Sequence, residues 1–128
     1  MKPQIDKKQF SLEQIAPYYH NPEVCGYDKE TEKCCYKTKD GKMCVAGKNM
    51  RAEFIEIADS SDGIWGILER NEEEFVFKND VVGILEWNEW SYLQQIHDGI
   101  AKQDYKIIQE YITKLDLFTL SELENFTA

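Results

Sequence analysis

The sequence predicts an α+β fold with a short N-terminal helix, a cysteine-bearing β-hairpin, a small antiparallel sheet and a C-terminal helical hairpin. Three observations lead there. A turn-forming Asp40-Gly41 pair sits midway along a cysteine-bearing stretch, and three short apolar or alternating runs with polar punctuation follow it. From Asn88 onward the large apolar residues take up helical spacing. No internal repeat, low-complexity tract or linker interrupts the 128 residues, a length that suits one domain spanning 1–128.

The elements follow in chain order. Ser11 and Gln14 have the spacing of a capping box, which places a short helix over 11–19. Pro17 either ends that helix or, if the start is later, occupies its first turn. His20, Asn21 and Pro22 form a connector. Residues 34–47 predict a hairpin about Asp40-Gly41, with Lys37 opposite Cys44 in a two-residue turn or Tyr36 opposite Cys44 in a three-residue turn. Either register brings Cys44 near Cys34 or Cys35. The runs 53–57, 64–68 and 74–78 predict three antiparallel strands, although a helix through part of 50–58 is also compatible with so short a run. Asn88 then suits an N-cap, and Trp90, Leu93, Ile96 or His97, and Ile100 form one helical stripe. Tyr105, Ile108, Ile112 and Leu115 repeat the offsets after Asp104, and Thr119 with Glu122, or Ser121 with Glu124, caps a last short turn.

Charge is distributed unevenly. Residues 1–50 carry nine lysines against seven carboxylates (+2), whereas residues 51–128 carry six basic side chains against seventeen acidic ones (−11). Between Glu53 and Asp98 only Arg70 and Lys78 face twelve carboxylates. Such a surface repels a phosphate backbone, which argues against direct nucleic-acid binding, and attracts a protein with a basic surface. The candidate partner-binding residues are Glu69, Glu72, Glu73, Glu74 and Asp80. The plainer reading is that the carboxylates simply keep the protein soluble. Lysines 33, 37, 39, 42 and 48 form one basic island on the hairpin. Trp65, Trp87, Trp90, Phe75, Phe77 and Tyr92 are expected mostly in the core, and any exposed among the carboxylates would mark a binding face. Apolar runs such as 81–85 fall far short of the ~20 residues that cross a bilayer, and the N-terminus is polar. A soluble, cytoplasmic protein without a membrane partner is expected.

Cys25, Cys34, Cys35 and Cys44 lie within twenty residues, with His20 just upstream. The intervals between the cysteines are eight, zero and eight residues, unlike the close pairs that present two thiolates to one zinc ion. A mixed set of His20, Cys25, Cys34 or Cys35, and Cys44 is nonetheless compatible with zinc, and the competing expectation is that the thiols are small buried hydrophobes. In a reducing cytoplasm they persist as thiols; pairing Cys25 with Cys34, or Cys35 with Cys44, requires oxidation. Cys44 near Lys42 and Lys48, with His97 and Asp98 from a distant helix, has the residue types of a cysteine nucleophile. No phosphate loop, His-Glu-x-x-His or nucleotide fingerprint is present, so no catalytic residue and no cofactor is assigned.

Two islands carry a likeness. Cys34, Tyr36, Lys37, Gly41, Cys44 and Gly47, followed by Leu93, Gln94, Ile96, His97 and Asp98, resemble a group of small uncharacterised proteins of bacteriophages and prophages. In that group a Cys-x-Tyr-Arg segment leads through a glycine turn to Cys-Ala-Val-Gly, and a Leu-Gln-x-Ile-His-Asp helix follows. This chain departs with Lys37 for Arg, Val45-Ala46 for Ala-Val, and extra cysteines at 25 and 35. The resemblance implies a viral or prophage origin and contributes no active-site assignment. The resulting expectation is a small acidic non-enzymatic protein of phage type that binds and inhibits a host protein, such as a nuclease or a defence complex, in the anti-CRISPR manner. A zinc-dependent binding module, and a cysteine enzyme or signalling-nucleotide sponge, are the alternatives.

Overall fold

A computed structural model describes residues 6–126 apart from 29, 31, 32, 35, 39, 40 and 56–63, and only the backbone at 33, 34, 64 and 65. Helices α1 (Lys7–His20), α6 (Trp87–Lys102), α7 (Tyr105–Leu115) and α8 (Leu120–Asn125) carry the core. Four shorter helices, α2 (Val45–Asn49), α3 (Ala52–Ile55), α4 (Ile64–Arg70) and α5 (Glu73–Val76), occupy the middle.

Helix α6 is the hub, packing on α1, α2, α4 and α7. Its stripe of Trp90, Leu93, Ile96, His97 and Ile100 is buried, as are Ile108, Ile112 and Leu115 of α7. Each large aliphatic side chain so covered contributes about 1.5–3 kcal/mol. Phe10 meets the Trp90 ring edge-on, and Phe77 stacks on it at 4.6 Å. Tyr105 leaves the predicted stripe and is 64% exposed. It is the first residue of α7, where the chain has only just turned back from α6.

Caps explain the helix starts. Asp6 begins α1, its carboxylate accepting from the backbone N–H of Lys8 (2.9 Å) and Gln9 (3.4 Å), where negative charge also offsets the helix dipole. Ser11 is therefore not a cap. It lies inside α1, fully buried, and its Oγ has no hydrogen-bond partner among the described residues. Pro17 neither ends nor begins the helix: it sits in the last turn with its ring toward solvent, and its own carbonyl accepts from Asn21 N–H (3.2 Å). Glu86 rather than Asn88 caps α6, where Glu89 accepts from Glu86 N–H (2.8 Å). Asp104 caps α7, and Thr119 and Glu122 form a reciprocal box at α8.

The α+β expectation is overturned. Where strands were expected at 53–57, 64–68 and 74–78, the structure has α3, which is the helix held compatible with part of 50–58, then α4, then α5 followed by Phe77 in an isolated bridge, with 56–57 outside the description. Ile64, Ile67 and Leu68 have helical i, i+3, i+4 spacing, and the glutamates at 72–74 lie at the start of α5, where the helix dipole favours them. Among the described residues the only strands are a two-residue antiparallel pair, Tyr27–Asp28 with Lys33–Cys34, and isolated bridges outside it pair Lys37 with Met43 and Met50 with Phe77. The predicted hairpin is reduced to one tight turn. Gly41 takes φ +88°, and Thr38 N–H donates to the Lys42 carbonyl (2.7 Å), while Asp40 lies outside the description. Lys37 faces Met43, which is the register of the three-residue turn that sets Tyr36 opposite Cys44 with Gly41 left-handed and not that of the two-residue turn, and the second arm becomes helix α2 at once.

Candidate functional site

Two regions collect the residues singled out above: a buried joint between α6 and α2, and an acidic corner at α4 and α5.

At the joint, Ala46 N–H donates to Gln94 Oε1 (3.1 Å), and Gly26 N–H donates to His97 Nε2 (3.1 Å). A backbone N–H only donates, so Nε2 is the acceptor and the ring proton sits on Nδ1, donating to Asp98 Oδ1 (2.9 Å). The imidazole is thus neutral and has no exposed surface. It lies edge-on to Tyr18 at 4.8 Å, whose hydroxyl donates to the Met43 carbonyl (2.7 Å). Cys44 is the N-cap of α2, with Sγ accepting from Gly47 N–H (3.3 Å). A Cβ at Gly47 would collide with the Tyr36 carbonyl, so only glycine admits this backbone. Tyr36, Cys44, Gly47, Gln94 and His97 therefore come together as a splice holding the irregular segment against α6.

That geometry supplies no activated nucleophile. The Nε2 lone pair of His97 is engaged by Gly26, and Cys44 is completely buried. Burial, with smaller contributions from Asp98 and Cys44, pushes the Cys25 thiol up to about 12, which keeps it protonated and inert. The two are thiols rather than halves of a disulfide. Of the zinc candidates, His20 is exposed at the end of α1, 3.0 Å from the Phe126 carbonyl oxygen. Among the described residues no three His, Cys, Asp or Glu side chains converge as a metal cage; the Cys34 side chain and Cys35 lie outside the description. Lys48 has left the expected basic island. Its Nζ donates to the Gln14 carbonyl (2.8 Å) and sits 4.7 Å over the Tyr18 ring, and burial pulls the ammonium down to about 8.

The acidic corner is built differently. Arg51 Nε donates to the carbonyls of Glu74 (2.8 Å) and Phe77 (3.1 Å), and its Nη2 donates to Asn79 Oδ1 (2.6 Å). Arg51 N–H to the Val76 carbonyl (2.8 Å) and Lys78 N–H to the Asn49 carbonyl (2.9 Å) complete the clamp. Val76 and Phe77 are consequently buried, and Phe75 is turned outward, 67% exposed. Beside it Glu69, Glu72, Glu73 and Glu74 line an open depression of about 410 Å³ with Trp87 at its edge. Arg70 is the one cation among the described residues lining it. Asp80 is not part of this corner; it lines a second groove, with Asp6 and Glu13.

Sequence reasoning named Phe75 among six aromatics but did not single it out as the exposed one, for a geometric reason. In a strand, Phe75 and Phe77 share a face, whereas in the short helix ending at Val76 they do not. The signal was the run of three glutamates before it, which suits a helix start. Gln94, buried on α6, was read only as part of a likeness, and Arg51 had no signal at all. Compared with known proteins, the chain matches no family model, no curated protein and no solved structure.

Proposed function

We propose that this chain is a small acidic protein of phage type that acts by binding and blocking a host protein with a basic surface, such as a nuclease or defence complex of the kind anti-CRISPR proteins target. The observation that carries the reading is Phe75, a large apolar side chain held 67% exposed directly after Glu72, Glu73 and Glu74, which line the depression of the acidic corner. Exposing a phenylalanine on so short a helix has no folding benefit, and aromatic anchors ringed by polar residues are how interfaces concentrate their energy. The carboxylates of this corner would meet lysines and arginines that otherwise grip a nucleic-acid backbone. Among the described residues no helix is long and apolar enough to cross a membrane.

The test is binding to a panel of purified CRISPR effectors and restriction nucleases at low and high salt. Wild-type protein should bind at least one, more weakly as salt rises. Reversing Glu69, Glu72, Glu73 and Glu74 together should weaken binding and flatten the salt dependence, and Phe75→Ala should weaken it at least tenfold at every salt. Binding that ignores both changes, or no binding across the panel, defeats the proposal.

A further inference from the structure

We propose that the groove between the first half of α1 and the turn at 78–85 is a receptor for an arginine side chain of a protein partner, separate from the Glu69–Glu74 corner. The groove has a volume of about 480 Å³, within the about 300–1,000 Å³ of ordinary ligand pockets. It shares no lining residue with the corner.

Its chemistry is specific. Phe10, Val81 and Ile84 give it apolar walls, and Asp6, Glu13 and Asp80 give it carboxylates, with no cation among the described residues that line it. The lysines next to Asp6 on α1 are engaged elsewhere, Lys7 on Glu89 at 2.9 Å and Lys8 on Glu122. Lys48 holds the carbonyl of the lining residue Gln14 (2.8 Å) and lines no part of the groove itself. Asp80 makes no hydrogen bond or ion pair among the described residues, and Asp6 and Glu13 each use one oxygen, Asp6 on the α1 backbone and Glu13 on Gln9.

The deciding feature is Asn49. Its side chain is only 6% exposed, and its amide nitrogen donates to the Val45 carbonyl (2.9 Å) and Gln14 Oε1 (2.7 Å). A carbonyl only accepts, so the nitrogen is correctly placed and the other amide atom is Oδ1. That Oδ1 has no hydrogen-bond donor among the described residues, on a side chain that lines the groove. The oxygen is not among the buried atoms that lack a partner, so it is open to the groove, where a ligand donor can take the place of water. A guanidinium meets these demands together. Its planar fork can donate at once to a floor acceptor and to carboxylates at the rim, and its weakly hydrated stem and faces pack against apolar walls. An ammonium supplies the charge without the fork.

The experiment is an NMR titration of the full chain, isotope-labelled, with the blocked tripeptide acetyl-Ala-Arg-Ala-amide and its citrulline and lysine counterparts. The arginine peptide should produce saturable shifts confined to the backbone of residues 8–14 and 80–84 and the side-chain amide of Asn49. The citrulline peptide, neutral and nearly isosteric, should bind at least tenfold more weakly, and the lysine peptide several-fold more weakly. Asp80→Asn, an exposed change that leaves the fold alone, should weaken the arginine peptide at least threefold. Shifts centred on Glu69–Glu74, absence of saturable shifts at Asn49, equal binding of the citrulline peptide, or lysine binding as tight as arginine would each overturn the assignment.

Discussion

If His97 holds the fold together instead of doing chemistry, its replacement must be read in stability. His97→Leu is close to volume-conserving, so little cavity arises. It does strand the buried Gly26 N–H, now 3.1 Å from Nε2, which costs about 1–3 kcal/mol. It also removes the edge-on contact with Tyr18 at 4.8 Å, about 0.5–1.5 kcal/mol more. The sum is about 1.5–4.5 kcal/mol, a large part of the stability of a small domain. With a urea slope of about 1.5 kcal/mol per molar, the midpoint should fall by about 2 M, followed by tryptophan fluorescence. His97→Gln is the sharper variant, because its amide oxygen reaches the place of Nε2 and accepts from Gly26. It should recover more than half of the loss. A Leu variant within about 0.5 kcal/mol of wild type, or a Gln variant no better than Leu, would refute the assignment of His97 as an acceptor for the backbone.

Other consequences follow from the same joint and corner. Gly47→Ala places a Cβ against the Tyr36 backbone, which no rotamer change relieves, and should cost about 3 kcal/mol or more in the same denaturation experiment. Cys25 and Cys44 are buried, so alkylation followed by mass spectrometry should find both slow in the native protein and fast in denaturant. Lys48 titrates at about 8 in the fold against an ordinary 10.5, so between these values the unfolded chain holds the proton more tightly and its contribution to stability rises with pH, by up to about 1.4 kcal/mol per unit. Cys25 acts oppositely: raised from 9 to about 12, it stays protonated in the fold while the unfolded thiol ionises, so its contribution falls over that range. Lys48→Met should therefore abolish a rise between pH 8 and 9, and Cys25→Ala should abolish a fall above pH 10.5. Variants whose pH profiles run parallel to wild type would contradict both. Phe75→Ala should leave stability within about 0.5 kcal/mol of wild type, because the ring buries little surface in the folded chain.

The long helices were legible because their signals are local and repeated. Trp90, Leu93, Ile96 and Ile100 recur at a period that only a helix buries on one side. The middle of the chain was not. Runs such as Ile64–Leu68 are too short for period to separate strand from helix, and what decides is what the rest of the fold offers to pack on, here helix α6. The error propagated to the site. Placing Phe75 and Phe77 in one strand buries both, whereas α5 divides them, and the division leaves the exposed ring on which the functional reading rests. The grouping of five carboxylates likewise followed sequence distance, while Asp80 lies past the clamp and faces α1. At the joint, the residue types of a nucleophilic site were present, but hydrogen bonds to Gly26 and Ala46 assign His97 and Gln94 to the backbone. No pattern in the sequence reveals that a histidine's lone pair is already occupied.

The most direct measurement is the salt dependence of the dissociation constant for a bound defence nuclease, wild type beside the protein with Glu69, Glu72, Glu73 and Glu74 reversed. The account predicts a steep weakening with salt for wild type and a shallow one for the variant, with unchanged folding of both. Equal slopes would show that this acidic corner does not make the contact.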